Sequence, residues 1–493
     1  MKRRALLPAL LLSACAVGPD FRPPATPLAA AAPYASATPA IARSETAPDA
    51  WWRLYNDPLL DALVAEAFAA NTDLRVATAN LRRARAVLSE TAGAQLPTTT
   101  ATASAVKAQQ TIGTVTGPRP FQSNFFRFGF DANYELDLYG RVRRSIEAAR
   151  ADTAAVAATR DAVAISVAAE TARAYADACS AGARIAVADR SLKLQTDSFG
   201  ITERRVAAGR DSPLDAARAR SQLETTRASL PAIAAERRSA LFRLAVLTGR
   251  PPTEGDPRAA ACVAAPLLTQ PIPVGDGAVL LKRRPDVRQA ERQLAAATAR
   301  IGVATADLFP KITLGGSATA SGTSPGRAFS SNGFGFSIGP AISWVFPNIT
   351  IARARIRQAR ASTEAALANF DGTVLLALRE TETALSDYAG SIDRNQALRG
   401  ARAQSAEAAR IVRLRYAAGA DGFLAVLDAE RTLAVADADL AVSDAALASA
   451  QIAVFKALGG GWEATPPTIA PPTIALPTTA LPTIALPVAA PRR

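Results

Sequence analysis

"FRFGFDANYELDLYG", residues 126–140, alternates with a period of two. Phe126, Phe128, Phe130, Ala132, Tyr134, Leu136 and Leu138 are apolar, while Arg127, Gly129, Asp131, Asn133, Glu135 and Asp137 stand between them. Successive side chains of a β-strand point to opposite faces, so the pattern predicts a strand with one greasy and one polar side. A second stretch, "FGFSIGPAISWVF" at 334–346, sets Phe334, Phe336, Ile338, Pro340, Ile342, Trp344 and Phe346 against Gly, Ser, Ala and Val. Weaker strand candidates precede each, near Thr98–Val106 and Lys311–Ala320. The turn-rich segments between them, "TIGTVTGPRPFQSN" and "SGTSPGRAFSSNG", read as hairpin loops. Four strands, as two hairpins, are therefore expected.

Any half-buried strand alternates. Bulky apolar residues on one face, with small and charged ones on the other, suit a strand between lipid and water. Crossing a bilayer this way takes ~9–11 residues, and both stretches are long enough. Four strands cannot close a barrel, since membrane barrels begin at about 8. Open edges in lipid would leave backbone groups unpaired at several kcal/mol each. If the strands lie in a membrane, several chains must build the barrel together.

The rest of the 493-residue chain has a different character. Hydrophobic residues make up 49% but aromatics only 6%, because alanine supplies most of the apolar count. Alanine favours helix and adds little buried area, which predicts long, closely packed helices rather than a thick core. Such segments follow each hairpin, at about Arg141–Arg205 and Ile349–Arg415, long enough to extend ~100 Å. A glycine turn and a returning helix come next, at about Pro213–Leu247 and Gly422–Leu458. In the last helix Val426, Leu433, Leu440, Leu447 and Val454 recur every seventh residue, with Ala429, Ala436, Ser443, Ala450 and Ala457 on the companion seam. A heptad with small seam residues signifies closely approaching coiled-coil helices.

These features occur twice. "RVAAGRDSPLDAARA" from Arg205 matches "RYAAGADGFLAVLDA" from Arg415, so that Gly209 answers Gly419, Asp211 answers Asp421 and Leu214 answers Leu424. "IEAARA" from Ile146 matches "IRQARA" from Ile356 at the same offset, and "DLRVATANLRRA" from Asp73 answers "DVRQAERQLAAA" from Asp286. The chain is a tandem duplication. Gly459-Gly460-Gly461 reads as a helix stop.

The N-terminus points to export. Lys2, Arg3 and Arg4 precede a short apolar run, Ala5 to Leu12, and then Leu12-Ser13-Ala14-Cys15, the form of a secretory signal. "LSAC" looks like a bacterial lipobox with Cys15 as the lipidated residue; an ordinary signal peptide containing a cysteine is the alternative. Ala16 follows, where aspartate would favour retention at the inner membrane. No later stretch reaches ~20 uninterrupted apolar residues, so no transmembrane helix is expected. Of the remaining cysteines, Cys179 and Cys262 form either a disulfide or two unpaired core thiols, which spacing cannot decide.

Histidine is absent, and no cysteine spacing resembles a metal motif, so no metal or cofactor is expected. The formal charge of +13 is spread along helices among Asp and Glu rather than clustered, which argues against nucleic acid and suits helix faces and acidic lipid. Without a GxSxG or P-loop motif or a convincing carboxylate pair, an enzyme is not expected. The domain reading is a signal peptide at 1–14, a lipidated Pro/Ala-rich tether at 15–50, a first repeat at 51–257, a linker at 258–283, a second repeat at 284–462 and a Pro-rich disordered tail at 463–493.

"CAVGPDFRPP" at 15–24, "WWRLYNDPLLDALVAEAFAANTDLRVA" at 51–77, "YELDLYGRVRR", "RRPDVRQAE" and "RYAAGADGFLAVLDAERTL" together resemble the TolC-like outer-membrane factors of tripartite efflux systems, in their NodT-type lipoprotein branch. The resemblance covers about residues 15–462. It implies a mainly α chain with a membrane β-barrel portion: a homotrimer whose 12 strands close one outer-membrane barrel above a periplasmic coiled-coil tunnel. It also implies docking to a periplasmic adaptor and an inner-membrane pump of the RND type, in a Gram-negative bacterium, with small molecules as cargo. A type I protein-secretion duct is the alternative within that class, and a periplasmic coiled-coil scaffold without a channel is the alternative outside it.

By position, Leu424 and Asp428 resemble the family's apolar and acidic constriction rings, near the tip turns at Gly209 and Gly419. Tyr416 and Asp215 resemble residues that link neighbouring coils in the closed state, through a phenol-to-carboxylate hydrogen bond. Asp421 stands where some relatives have a latch arginine, and Ala425 where some have a second gate aspartate, implying a weaker latch and a single acidic ring. Read without the resemblance, Asp428 is a solvated residue near Arg431, Tyr416 packs at a helix end, and Asp215 favours the first turn after Pro213.

Overall fold

The computed structural model describes residues 16–25, 30, 32–114, 117–347 and 349–462; Cys15, the signal peptide and the Pro-rich tail lie outside these. β1 (Ala42–Arg43) precedes the first repeat, which contains α1 (Pro58–Ala70), α2 (Thr72–Gly93), β2 (Thr98–Thr114), β3 (Gly117–Leu136), α3 (Arg141–Ala207) and α4 (Pro213–Leu247). After it come α5 (Pro257–Ala261), β4 (Ile272–Pro273), α6 (Gly277–Arg283), α7 (Pro285–Ala306), β5 (Lys311–Gly322), α8 (Pro325–Ala328), β6 (Phe334–Ser343), α9 (Ile349–Ala417) and α10 (Phe423–Ala457).

The two alternating stretches lie in one antiparallel sheet of order β2-β3-β5-β6. Their registers bring the greasy positions into common rows: Phe130 faces Ala318, which faces Phe336, and Ala132 faces Gly316, which faces Ile338. Asp131, Ser317 and Ser337 form a row of the opposite face, closed by a 2.9 Å bond between the Ser317 and Ser337 hydroxyls. Nothing described in the chain covers the greasy rows of β6, where Phe336 is 76% and Ile338 77% exposed.

One loop expectation fails. "TIGTVTGPRPFQSN" is mostly paired strand: β2 and β3 stay in register out to Thr114 opposite Gly117. The partner β5 begins only opposite Phe126, so the backbone of β3 before that point has a free edge that tolerates Pro118 and Pro120. The sequence of this outer extension does not alternate. The second turn-rich segment folds into α8, after which Phe329 packs on Phe128 with ring centroids 4.8 Å apart.

Helices and strands form four pillars. α3 packs against α2 and α4 on one side and α7 and α10 on the other; α9 packs against α7 and α10. The pillar order is thus α2/α4, α3, α7/α10, α9. It is also the sheet order, because β2 follows α2, β3 precedes α3, β5 follows α7 and β6 precedes α9. The first and last pillars are unpartnered along a flank, as β2 and β6 are along an edge. α3 and α9, with 67 and 69 residues, are each ~100 Å long.

The heptad seam of α10 is buried or half-buried throughout, as a coiled coil requires. On hydropathy alone α10 is apolar enough to cross a bilayer. Yet it packs along α9 through ion pairs, Asp437 with Arg402 at 2.8 Å and Asp444 with Arg399 at 2.9 Å. Its apolarity is alanine packing, as the seam reading holds.

Alanine-rich packing is not the whole of the core. A dense aromatic collar surrounds the middle of α3 and α9 and the C-terminal end of α10, where Trp51 stacks on Phe455 at 4.8 Å and Trp52 meets Phe68 edge-on. Linker residues 258–283 and the first repeat's entry meet there as a parallel β1–β4 ladder, with Ala42 opposite Ile272. The fully buried Gln451 is satisfied in place: its amide oxygen accepts from the Leu268 N–H at 3.0 Å, and its amide nitrogen donates to the Leu268 carbonyl at 2.9 Å. Cys179 and Cys262 form a disulfide that joins the same linker to α3. Gly182 is required beside it, because a Cβ there would lie 2.3 Å from the Cys262 carbonyl oxygen.

The described part of 15–50 lies against the body rather than spanning free space. Val17 donates to the Tyr139 carbonyl at 3.1 Å, and buried Arg144 binds the Val17 and Gly18 carbonyls and Asp20. Ile41 and Ala42 are buried in the collar. Prolines bring no amide donors, so an extended Pro-rich strand can lie in a groove with few backbone groups to satisfy.

Trp51 is 0% exposed and anchors the collar. Trp51→Ala is expected to cost ~3–5 kcal/mol, read as a lower unfolding midpoint of the detergent-solubilised protein. An unchanged midpoint would show that the collar is not a stability centre.

Candidate functional site

The far ends of the two helical hairpins carry the predicted functional residues. Each long helix ends at a glycine in the left-handed region, Gly209 at φ +71° and Gly419 at φ +76°, where a Cβ is disfavoured. The amide after each glycine reaches back to close the helix: Arg210 to the Arg205 carbonyl at 2.8 Å and Ala420 to the Arg415 carbonyl at 2.9 Å. An ion pair locks each turn, Arg205 with Asp211 at 2.9 Å and Arg415 with Asp421 at 2.7 Å. The duplicated sequence makes the same device twice.

Tyr416 joins the two tips. Its hydroxyl donates to Asp211 at 3.1 Å, and the Arg205 guanidinium lies 4.6 Å from its ring centroid. Desolvation, with the Asp211 carboxylate beside it, pushes the phenol's pKa upward. Asp215, the expected partner, is engaged elsewhere. It sits at the third position of α4 and forms a capping box with Ser212, their side chains 2.8 Å apart. Helix capping holds Asp215 on its own helix, whereas Asp211 in the turn itself projects across the gap. Asp421 is likewise bound to its own Arg415, whose hydrogen bond, with its charge, pulls the carboxyl's pKa down.

Leu424 is 58% exposed and Asp428 is exposed, both at the start of α10. Among the described residues Asp428 has no ion pair. Deeper along the hairpins, Glu430 of α10 lies 3.6 Å from Arg413 of α9 and takes a hydrogen bond from Ser198 of α3. Burial, only partly offset by those partners, raises its pKa. Sequence reading missed both Asp211 as the phenol's acceptor and Glu430. The Arg…Asp spacing repeated from Arg205–Asp211 to Arg415–Asp421 carried the signal for the first.

A family model described as "Outer membrane efflux protein" matches residues 63–250 and 278–460, once for each repeat. The chain belongs to that family. It is similar to nodulation protein T of Rhizobium leguminosarum bv. trifolii, with 30% identity over 87% of this chain and 91% of that one. It is also similar to outer membrane protein OprJ of Pseudomonas aeruginosa, with 31% identity over 93% and 95% respectively. Among solved structures, the outer-membrane channel OprN superposes with a TM-score of 0.84 at 38% identity, covering 91% of this chain and 100% of that chain. The open state of the Neisseria gonorrhoeae MtrE channel gives 0.80 at 29% identity, over 91% and 99%. This protein is an outer-membrane efflux channel that extends into the periplasm.

The phenol link sets a pH expectation. A raised pKa means that the assembled tip holds the proton more tightly, so the link is intact below the ordinary tyrosine range. It is lost as pH rises through the raised value. Tyr416→Phe is expected to loosen the tips by ~1 kcal/mol and to raise channel open probability at neutral pH, measured in planar bilayers. Wild-type openings should match the variant only in strong alkali; identical open probabilities at neutral pH would exclude the link from gating.

Proposed function

We propose that three copies of this chain assemble into one passive conduit, anchored by a lipid on Cys15 and closed at the hairpin tips. The observation that carries the trimer is the coincidence of free edges. β2 and β6 are open at the sides of the sheet, and the helical pillars continuous with them are open on the same flanks. An open strand edge in hydrocarbon is untenable, so each β6 needs the next copy's β2. Three chains of four strands make 12, a size compatible with membrane barrels, which begin at about 8. Val17 at the β3–α3 junction is consistent with a lipid on Cys15 at that membrane face.

Conduction needs no catalytic chemistry, and an enzymatic role has no support from the site. In a trimer, Leu424 forms an apolar ring and Asp428 an acidic ring one turn deeper. A ring of carboxylates raises local cation concentration and repels anions. The proposed latch differs from the family pattern, because Tyr416 acts through Asp211 within one chain. A periplasmic adaptor and an inner-membrane RND-type pump complete the pathway. Relatives include proteins named as antibiotic and toluene efflux components, which supports small organic molecules as cargo over secreted proteins.

The purified full-length protein is expected to have a trimer's mass in detergent and to conduct ions in planar bilayers. Asp428→Ala should move the reversal potential in a salt gradient toward zero, reflecting weaker cation preference. A monomer without conductance would end the conduit reading, and an unmoved potential would end the Asp428 role.

A further inference from the structure

A recess of about 740 Å³ lies where α7 and α10 meet end to end in the third pillar, walled by α3 and α9. It opens on the side away from the collar. On α9, Leu385 and Tyr388 turn into the collar while Arg379, Thr383 and Asp387 line the recess. On α10, Val454 and Phe455 face the collar while Ala453 and Lys456 face the recess. Three collars turned inward would fill a tunnel, so in the proposed trimer the collars ring the outside and the recesses face the bore.

The charges around this hollow are unequally engaged. Lys456 holds Glu170 at 2.9 Å, and Arg284 holds both Asp286 and Glu380 at 2.7 Å. Arg173 on the α3 wall and Arg379 on the α9 wall have no hydrogen-bond or ion-pair partner among the described residues. Asp387 is the one lining carboxylate left without such a partner, two helical turns beyond Arg379. Two free arginines, one on each wall, therefore line the recess together with apolar Ile165, Ala169 and Ile452.

We infer that this recess is a transient binding site for amphipathic organic anions, held by Arg173 and Arg379 while an apolar ring rests on the floor. Its volume is within the ~300–1,000 Å³ of small-molecule sites. Guanidinium groups are weakly hydrated and bind sulfonate, carboxylate or phosphate oxygens with two parallel donors, so they suit an anion that must be caught and released. Its openness to the bore keeps the ligand partly hydrated and residence short. The acidic ring proposed at Asp428 repels such cargo, and the two unpaired arginines at the waist give it a favourable place beyond that barrier. The placement on the bore rests on the trimeric-conduit reading; the binding chemistry rests on the recess alone.

The test is equilibrium titration of full-length protein in phosphatidylcholine nanodiscs with 1-naphthalenesulfonate, empty nanodiscs subtracted. 1-Naphthylmethylammonium serves as the same ring with opposite charge. Saturable binding of the sulfonate but not the ammonium is expected, weakened at least ~10-fold in the Arg173→Gln/Arg379→Gln double variant and abolished by Ala453→Trp, which fills the hollow. Should the variants not assemble, wild-type affinity must still fall as salt is raised about tenfold, because partly exposed charge contacts are screened. Equal binding of the cation, absence of saturable sulfonate binding, indifference to salt, or undiminished binding in assembled variants each overturns the site. A monomer that binds the sulfonate would overturn the conduit and leave the recess standing; a conducting trimer that does not bind it would do the reverse.

Discussion

The backbone of a strand in hydrocarbon must find hydrogen bonds within the protein, and this single constraint organises the molecule. One chain supplies four paired strands and leaves β2 and β6 with a bare edge each. The helices inherit the geometry, because every strand runs into a helix of the same pillar. Assembly that satisfies the sheet edges also covers the flanks of α9 and of α2 and α4. Barrel and tunnel are therefore one closure problem. The duplication solves half of it in advance, by pairing β3 with β5 inside the chain.

Long alanine-rich helices bury little area per residue, so a tunnel built of them alone is weakly defined in register. The collar supplies what the helices lack. Its aromatic stack, the Gln451 bonds to Leu268 and the Cys179–Cys262 disulfide all act at mid-length, where both repeats meet. With the centre fixed in this way, the hairpin ends are held by their own contacts. The contacts at those ends are of a different kind: a phenol, a carboxylate and a guanidinium, partly exposed and few. A densely packed middle and lightly tied ends suit the closure at the tips proposed above.

Most of the architecture was legible in the sequence because it rests on periodicities. The two-residue alternation at 126–136 and 334–342 located the greasy face, and the heptad of α10 gave its seam. Duplicated glycines placed both tips. What escaped has no period. Residues 111–114 and 117–124 pair as strand although their sequence does not alternate. The Pro-rich segment before Trp51 is packed, because Arg144 and the β1–β4 ladder hold it through backbone groups that composition does not reveal. The collar depends on "WWRLY" meeting Phe455 from the far end of the chain, a contact no local pattern encodes.

The tip shows the same limit at the level of single residues. Asp211 and Asp215 are both carboxylates near one glycine turn, and position alone favoured Asp215 as the partner of Tyr416. Local chemistry assigns them differently. A carboxylate three residues after Ser212 is drawn to the exposed amides of its own helix start, and that competition removes it from the interface. Asp211 lies before the cap, is oriented by Arg205, and has a second oxygen lone pair to offer. Arg205 binds the acceptor and lies over the acceptor's phenol donor, so ring, carboxylate and guanidinium act as one unit. Repeat symmetry places Val206 where the second copy has Tyr416. The duplicated turns are thus structurally alike, and one aromatic substitution turns a pair of identical helix stops into a link between them.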